Sequence, residues 1–183
     1  MAVCDVAIER VLNHQLMQLY NYWLSISDGG SLLPPKSSFD PVDLPKLLSS
    51  LIMVEMRQEG DGEPRVFYRL VGSNMVRNWG ADNSGKYLDE LTDGKFTGYL
   101  NSQYQQVAQL KRPLYWHYLL RWEDGHLSNN SRLYIPFSSE ADPNRVSTII
   151  VGQIIRHDTK ILMEPMSPHV KDLEVIELDF QEF

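Results

Sequence analysis

Hydrophobic positions along this chain change period twice, and the changes divide it into elements. Between residues 5 and 26, Ile8, Val11, Leu12, Leu16, Leu19, Tyr20 and Trp23 recur at steps of three and four, while Glu9, Asn13, Gln18 and Asn21 take the other side. That spacing predicts an amphipathic helix, and Asp28-Gly29-Gly30 supplies its stop. Pro34 and Pro35 forbid a helix in the link that follows, and Phe39-Asp40-Pro41 turns the chain. Asp43 is placed to cap a short helix reaching Leu48, with Pro45 in its first turn.

From Leu51 the period shortens towards two. Residues 51–56 and 65–71 read as strands joined by the turn-forming GDGEP, which predicts a hairpin. A short helix over 73–80 and a polar turn between Gly80 and Gly85 come next. A longer helix over 93–111 follows, with Phe96, Tyr99, Leu100, Tyr104, Val107 and Leu110 as its stripe. Strands at 113–122, 131–138 and 146–156, linked by EDGHLSNN and EADPN, complete a five-stranded antiparallel α+β arrangement.

The third and fifth of these strands are apolar on both sides. Leu114, Trp116, Tyr118, Leu120 and Trp122 oppose Tyr115 and Leu119, and Ile150 and Ile154 oppose Ile149, Val151 and Ile155. A solvated face would show polar alternation, so both sheet faces are expected to be covered. The central helices can cover one. The N-terminal helix or a partner subunit is available for the other.

Composition narrows the function classes. A chain of 183 residues is expected to form one domain, able to bury roughly 70% of its unfolded surface without disulfide or metal. The net charge is −7 and Lys111-Arg112 is the only adjacent basic pair, which argues against nucleic acid. Cys4 is the single cysteine, consistent with a reducing compartment. No leader pattern and no apolar run of about 18 residues is present, so a cytoplasmic protein without a membrane partner is expected.

Catalytic and metal motifs are missing. His14, His126, His157 and His169 have no metal-ligand spacing with each other or with Cys4. Asp89 and Glu90 point apart as neighbours on an extended segment, which suits capping or solvation better than a catalytic pair. GADNSG lacks the spacing and lysine of a phosphate loop. Ser25, Ser49 and Ser50 occupy no nucleophile elbow. His117, between Trp116 and Tyr118, is the one candidate for proton transfer, and a hydrogen-bonded structural histidine explains it as well. The final segment, VKDLEVIELDFQEF, alternates over IELDF and so allows a strand, while its acidic-hydrophobic mix allows a partner-binding tail.

Several longer stretches carry a resemblance: LYNYWLS at 19–25, LPPKSSFDPVDLPKLLSSLIMVE at 32–55, FYRLVGSNMVRNWGAD at 67–82 and GKYLDEL at 85–91. With the three closing strands they span roughly residues 16–156, and over that span the chain resembles the PAS_5 family of bacterial PAS-like proteins. The resemblance implies a PAS fold, with short helices over one face of the five-stranded sheet, and a sensory or interaction role, often as a dimer. It brings no known ligand or cofactor and no catalytic residues. Flavin-attaching PAS domains resemble one another in a cysteine just after the short helix; here that region reads RNWGADNSG. Cys4 lies far from the core, unlike a chromophore cysteine, and residues 82–111 hold no histidine to match the haem ligand of oxygen-sensing PAS domains.

These readings divide the chain into an N-terminal helix (1–30), a PAS-like core (31–156) and a linker with an acidic-hydrophobic tail (157–183). Tyr68, Trp79, Tyr87, Tyr104, Trp116 and Tyr118 are the candidate ligand-binding residues, because aromatic rings stack on flat molecules and their polar tips orient them. The same residues would equally fill a core. The expected function is a stand-alone sensory and interaction module that binds a small ligand non-covalently and signals through a protein partner or homodimer. The alternatives are a cavity enzyme using His117 and a carboxylate, and a structural dimer with a filled core.

Overall fold

The computed structural model describes residues 13–91, 94–121, 127–157 and 174–182, the last of these by its backbone path. Helix α1 (His14–Ile26) starts where Asn13 accepts a hydrogen bond from the Leu16 amide at 2.9 Å. It ends in a run of left-handed residues, Asp28, Gly29 and Gly30. Three 3-10 turns follow, at Lys36–Ser38, Pro41–Asp43 and Leu48–Ser50. Asp40, not Asp43, is the capping residue here, accepting from the Val42 amide at 2.9 Å. The short helix expected over 43–48 is absent, and the segment runs as separate tight turns. The bonds that form instead are three-residue ones, Leu44 to Pro41 and Leu47 to Leu44.

The hairpin of β1 (Leu51–Arg57) and β2 (Arg65–Val71) leads into α2 (Ser73–Trp79), a 3-10 turn at Leu88–Glu90 and α3 (Lys95–Leu110). Strands β3 (Leu114–Arg121), β4 (Leu127–Ser138), β5 (Val146–His157) and β6 (Glu174–Glu182) complete the chain. The sheet order is β2-β1-β5-β4-β3-β6, antiparallel throughout. The five expected strands are all present. β4 starts four residues earlier than its composition suggests, because Ser128, Asn129 and Asn130 pair with Leu120, Leu119 and Tyr118 of β3. β6 realises the strand that IELDF allows and lies along the outer edge of β3.

Both faces of the sheet are covered, in the phase the sequence predicts. Leu16, Leu19, Tyr20 and Trp23 of α1 pack on Leu51, Tyr115, Leu133, Ile135, Phe137 and Ile150. α1 can approach this closely because β5 carries Gly152 beneath it: a Cβ there would lie 2.7 Å from Leu19 Cδ2 and 2.8 Å from Leu16 Cδ2. The Trp23 indole N–H donates to the Pro136 carbonyl at 2.9 Å, fixing the helix to β4. α1 thus covers this part of the face from within the chain. The opposite face packs Ile52, Val54, Trp116, Tyr118, Tyr134, Ile149 and Val151 against Met75 of α2 and Leu100, Tyr104 and Val107 of α3.

Candidate functional site

Strand alternation sends Trp116 of β3, Arg132 of β4 and Gln153 of β5 to the α3 side on one rung, since Trp116 pairs with Arg132 and Arg132 with Gln153. The rung on one side carries Tyr118, Asn130 and Ile155, and the rung on the other carries Leu114, Tyr134 and Val151. A cation thus stands with Gln153 and Asn130 in the middle of a layer of aromatic and aliphatic side chains. Arg132 is only 2% exposed.

Its guanidinium donates from Nη1 to the Tyr134 hydroxyl at 3.1 Å and from Nη2 to Gln153 Oε1 at 2.8 Å. The Tyr134 hydroxyl donates in turn to Gln103 Oε1 of α3 at 2.5 Å, linking the sheet to its helical cover. Gln153 Nε2 donates to Asn130 Oδ1 at 3.2 Å, and Asn130 Nδ2 donates to the Ser128 hydroxyl at 3.0 Å. The network is incomplete. Among the described residues, three buried side-chain polar atoms have no hydrogen-bond partner: Arg132 Nε, Gln103 Nε2 and the Tyr104 hydroxyl. Each such atom costs roughly 1–3 kcal/mol when buried unpaired.

The electrostatics are one-sided. No carboxylate among the described residues pairs with Arg132. The groups around it are phenols, and burial pushes Tyr68, Tyr104, Tyr118 and Tyr134 all upward from the ordinary tyrosine range. They are neutral at physiological pH, so they offer dipoles to the guanidinium and no counter-charge. The Tyr68 and Tyr104 hydroxyls are near enough to affect one another's ionisation without meeting hydrogen-bond geometry.

Five of the six aromatic residues singled out from the sequence gather on this face. Tyr68, Tyr104, Trp116 and Tyr118 are buried together, and Trp79 of α2 sets its ring edge-on to Tyr68 with centroids 6.1 Å apart. Tyr104 and Trp116 both make edge contacts with Tyr134, at 5.3 and 5.1 Å. Tyr87 lies elsewhere. It packs on Phe67 at 5.1 Å, sits under the Arg65 guanidinium at 3.8 Å and donates to Glu59 Oε1 at 2.5 Å. Phe67 and Tyr87 form an isolated bridge on the outer side of β2, away from the buried rings, since residues 66 and 68 are the inward ones. Asp89 belongs to the same outer ladder, gripped by both Nε and Nη2 of Arg65 at 2.9 and 2.8 Å. Glu90 caps the Tyr87 amide.

His117 points to the face opposite the buried network, and its Nε2 lies 2.7 Å from Asn129 Oδ1. An amide partner on the far side of the sheet does not supply the carboxylate that acid–base chemistry in the aromatic layer would need. Among the described residues no group of three or more His, Cys, Asp or Glu side chains is placed to hold a metal ion, and no helix is long and apolar enough to cross a membrane. A separate groove of about 440 Å3 between α1 and the 3-10 segment is lined by Gln18, Asn21, Tyr22, Leu44 and Lys46 and has no buried unpaired group.

Arg132, Gln103, Asn130 and Gln153 were not singled out by sequence reasoning. A signal existed: Gln153 falls in phase with Ile149, Val151 and Ile155, and a polar residue on a buried face marks a built interaction.

A search of curated proteins finds no match to the chain. Solved structures similar to it include the Rhodobacter sphaeroides LOV protein, at 13% identity and a TM-score of 0.41, covering 78% of this chain and 68% of that one. The PAS_5 family model, described as a PAS domain, matches residues 11–152, a span that takes in α1 and runs to the middle of β5. With the antiparallel sheet and its helical cover, this match places the chain in the PAS_5 family of PAS domains.

Proposed function

We propose that this chain is a sensory and interaction module that binds a small molecule non-covalently between α3 and the sheet, and reports its state through protein–protein contacts. The observation that carries this reading is the gathering of Tyr68, Trp79, Tyr104, Trp116 and Tyr118 around a polar network beneath α2 and α3. A core built only for cohesion gains nothing from interior hydrogen-bonding groups left unmatched, whereas a binding site needs them. A buried polar link, Tyr134 to Gln103, also joins α3 to the sheet, so a molecule seated there has direct leverage on the packing of α3. Since α1 covers this part of the other face, a partner or second copy would be met by surfaces other than the α1-covered sheet.

The test is native mass spectrometry of protein purified without denaturant, beside a denatured control. Extra mass that is lost on denaturation supports the sensor. A bare polypeptide mass would replace it with a filled-core scaffold, and the same spectra give the oligomeric state.

A further inference from the structure

We propose that the molecule recognised on this face is a small carboxylate, held by Arg132 with Gln103 and Tyr104 as further donors. The inference rests on the sensory reading above and names the chemistry of its ligand. The three residues that carry the unpaired atoms all contact Tyr134. Arg132 donates to the Tyr134 hydroxyl, Gln103 accepts from it, and the Tyr104 ring lies edge-on to the Tyr134 ring. The unpaired atoms are Arg132 Nε and Gln103 Nε2, which only donate, and the Tyr104 hydroxyl, which can donate. A group that completes all three must be an acceptor with more than one lone-pair site.

Charge selects among acceptors. Arginine keeps its proton when buried, no described carboxylate pairs with it, and the surrounding phenols are neutral. An anion is the acceptor that removes the penalty of an uncompensated buried charge. Of the five guanidinium N–H groups, two are engaged with Tyr134 and Gln153. The free Nε–H borders a fork whose geometry suits a planar carboxylate. The neighbouring rings of Trp116, Tyr118 and Tyr68 give an apolar wall for the rest of a small organic acid. A neutral amide or alcohol would satisfy the hydrogen bonds and leave the charge unmet.

Thermal unfolding of the full chain tests this with acetate as the probe and acetamide, its neutral near-isostere, as the control, at constant ionic strength. At tenfold excess over its Kd, a ligand confined to the folded state raises the Tm of a domain this size by about 3–6 °C. Acetate is expected to give that rise and acetamide none. In Arg132→Met the acetate response should vanish, while the unliganded variant stays folded because a buried unpaired charge has been replaced by an apolar chain of similar length. Equal responses to acetate and acetamide, or no acetate response up to 100 mM, would overturn the assignment. So would an undiminished response in Arg132→Met. If that variant does not fold, the acetate–acetamide contrast in the unaltered chain decides alone. A neutral molecule found by native mass spectrometry beside a failed acetate titration would remove the carboxylate and leave the sensory reading standing.

Discussion

The two faces of the sheet are built on different principles. Under α1 the contacts are apolar, and among the described residues no buried side-chain polar atom there lacks a partner; the Trp23 indole bonds the Pro136 carbonyl and the Tyr115 hydroxyl bonds Ser131. Under α3 the layer holds an arginine, two glutamines, an asparagine and four buried tyrosines, and all three unpartnered buried atoms among the described residues lie there. One sheet therefore has an apolar side that provides cohesion and a polar side whose hydrogen bonding is left incomplete. Departures from complete polar pairing in native proteins concentrate at functional sites, which makes the difference between the faces informative.

The largest expected effect breaks the cohesive side. Trp23 is almost fully buried, and Trp23→Ala removes its ring and its bond to β4 together. Truncations of this kind cost about 3–5 kcal/mol. Urea unfolding should show that loss, and any folded fraction should keep its response to ligand. A loss of ligand response in protein that remains folded would mean the faces are coupled. A smaller loss follows from Gly152→Ala. Its new methyl would lie under 3 Å from Leu16 and Leu19, both fully buried, so α1 must lift or repack at about 1–3 kcal/mol. Unchanged stability would show that α1 is held by its ends and not by contact with β5.

The contrast also explains what was legible in the sequence. The apolar phase of β3 and β5 fixed both inner faces correctly because periodicity reports burial directly, and α1 followed from its three- and four-residue steps. Tyr87 was grouped with the buried aromatics because composition does not say on which side of an edge strand a ring packs. Its ring belongs with Phe67, Arg57 and Arg65. Arg132 was hidden for the opposite reason. An isolated arginine in a strand ordinarily faces solvent, and its burial is decided by the register that sets it between Trp116 and Gln153 across three consecutive strands.

The sharpest comparison lies within the polar side, between two tyrosines whose rings touch. The Tyr134 hydroxyl accepts from Arg132 and donates to Gln103, so Tyr134→Phe leaves both partners deprived of a bond and should cost about 1–3 kcal/mol. The Tyr104 hydroxyl is equally buried and has no partner, so Tyr104→Phe removes a group whose hydration was given up without return. Its expected effect is the smallest and carries the opposite sign: stability unchanged or raised by up to about 1 kcal/mol, with the acetate response weakened because one donor to the anion is gone. Equilibrium urea unfolding of both variants, with and without acetate, separates the roles. If Tyr104→Phe destabilised the unliganded protein as much as Tyr134→Phe, the hydroxyl would belong to the structural network. If it stabilised the protein while weakening the acetate response, the chain would be giving up stability at that position to keep a group free for its ligand.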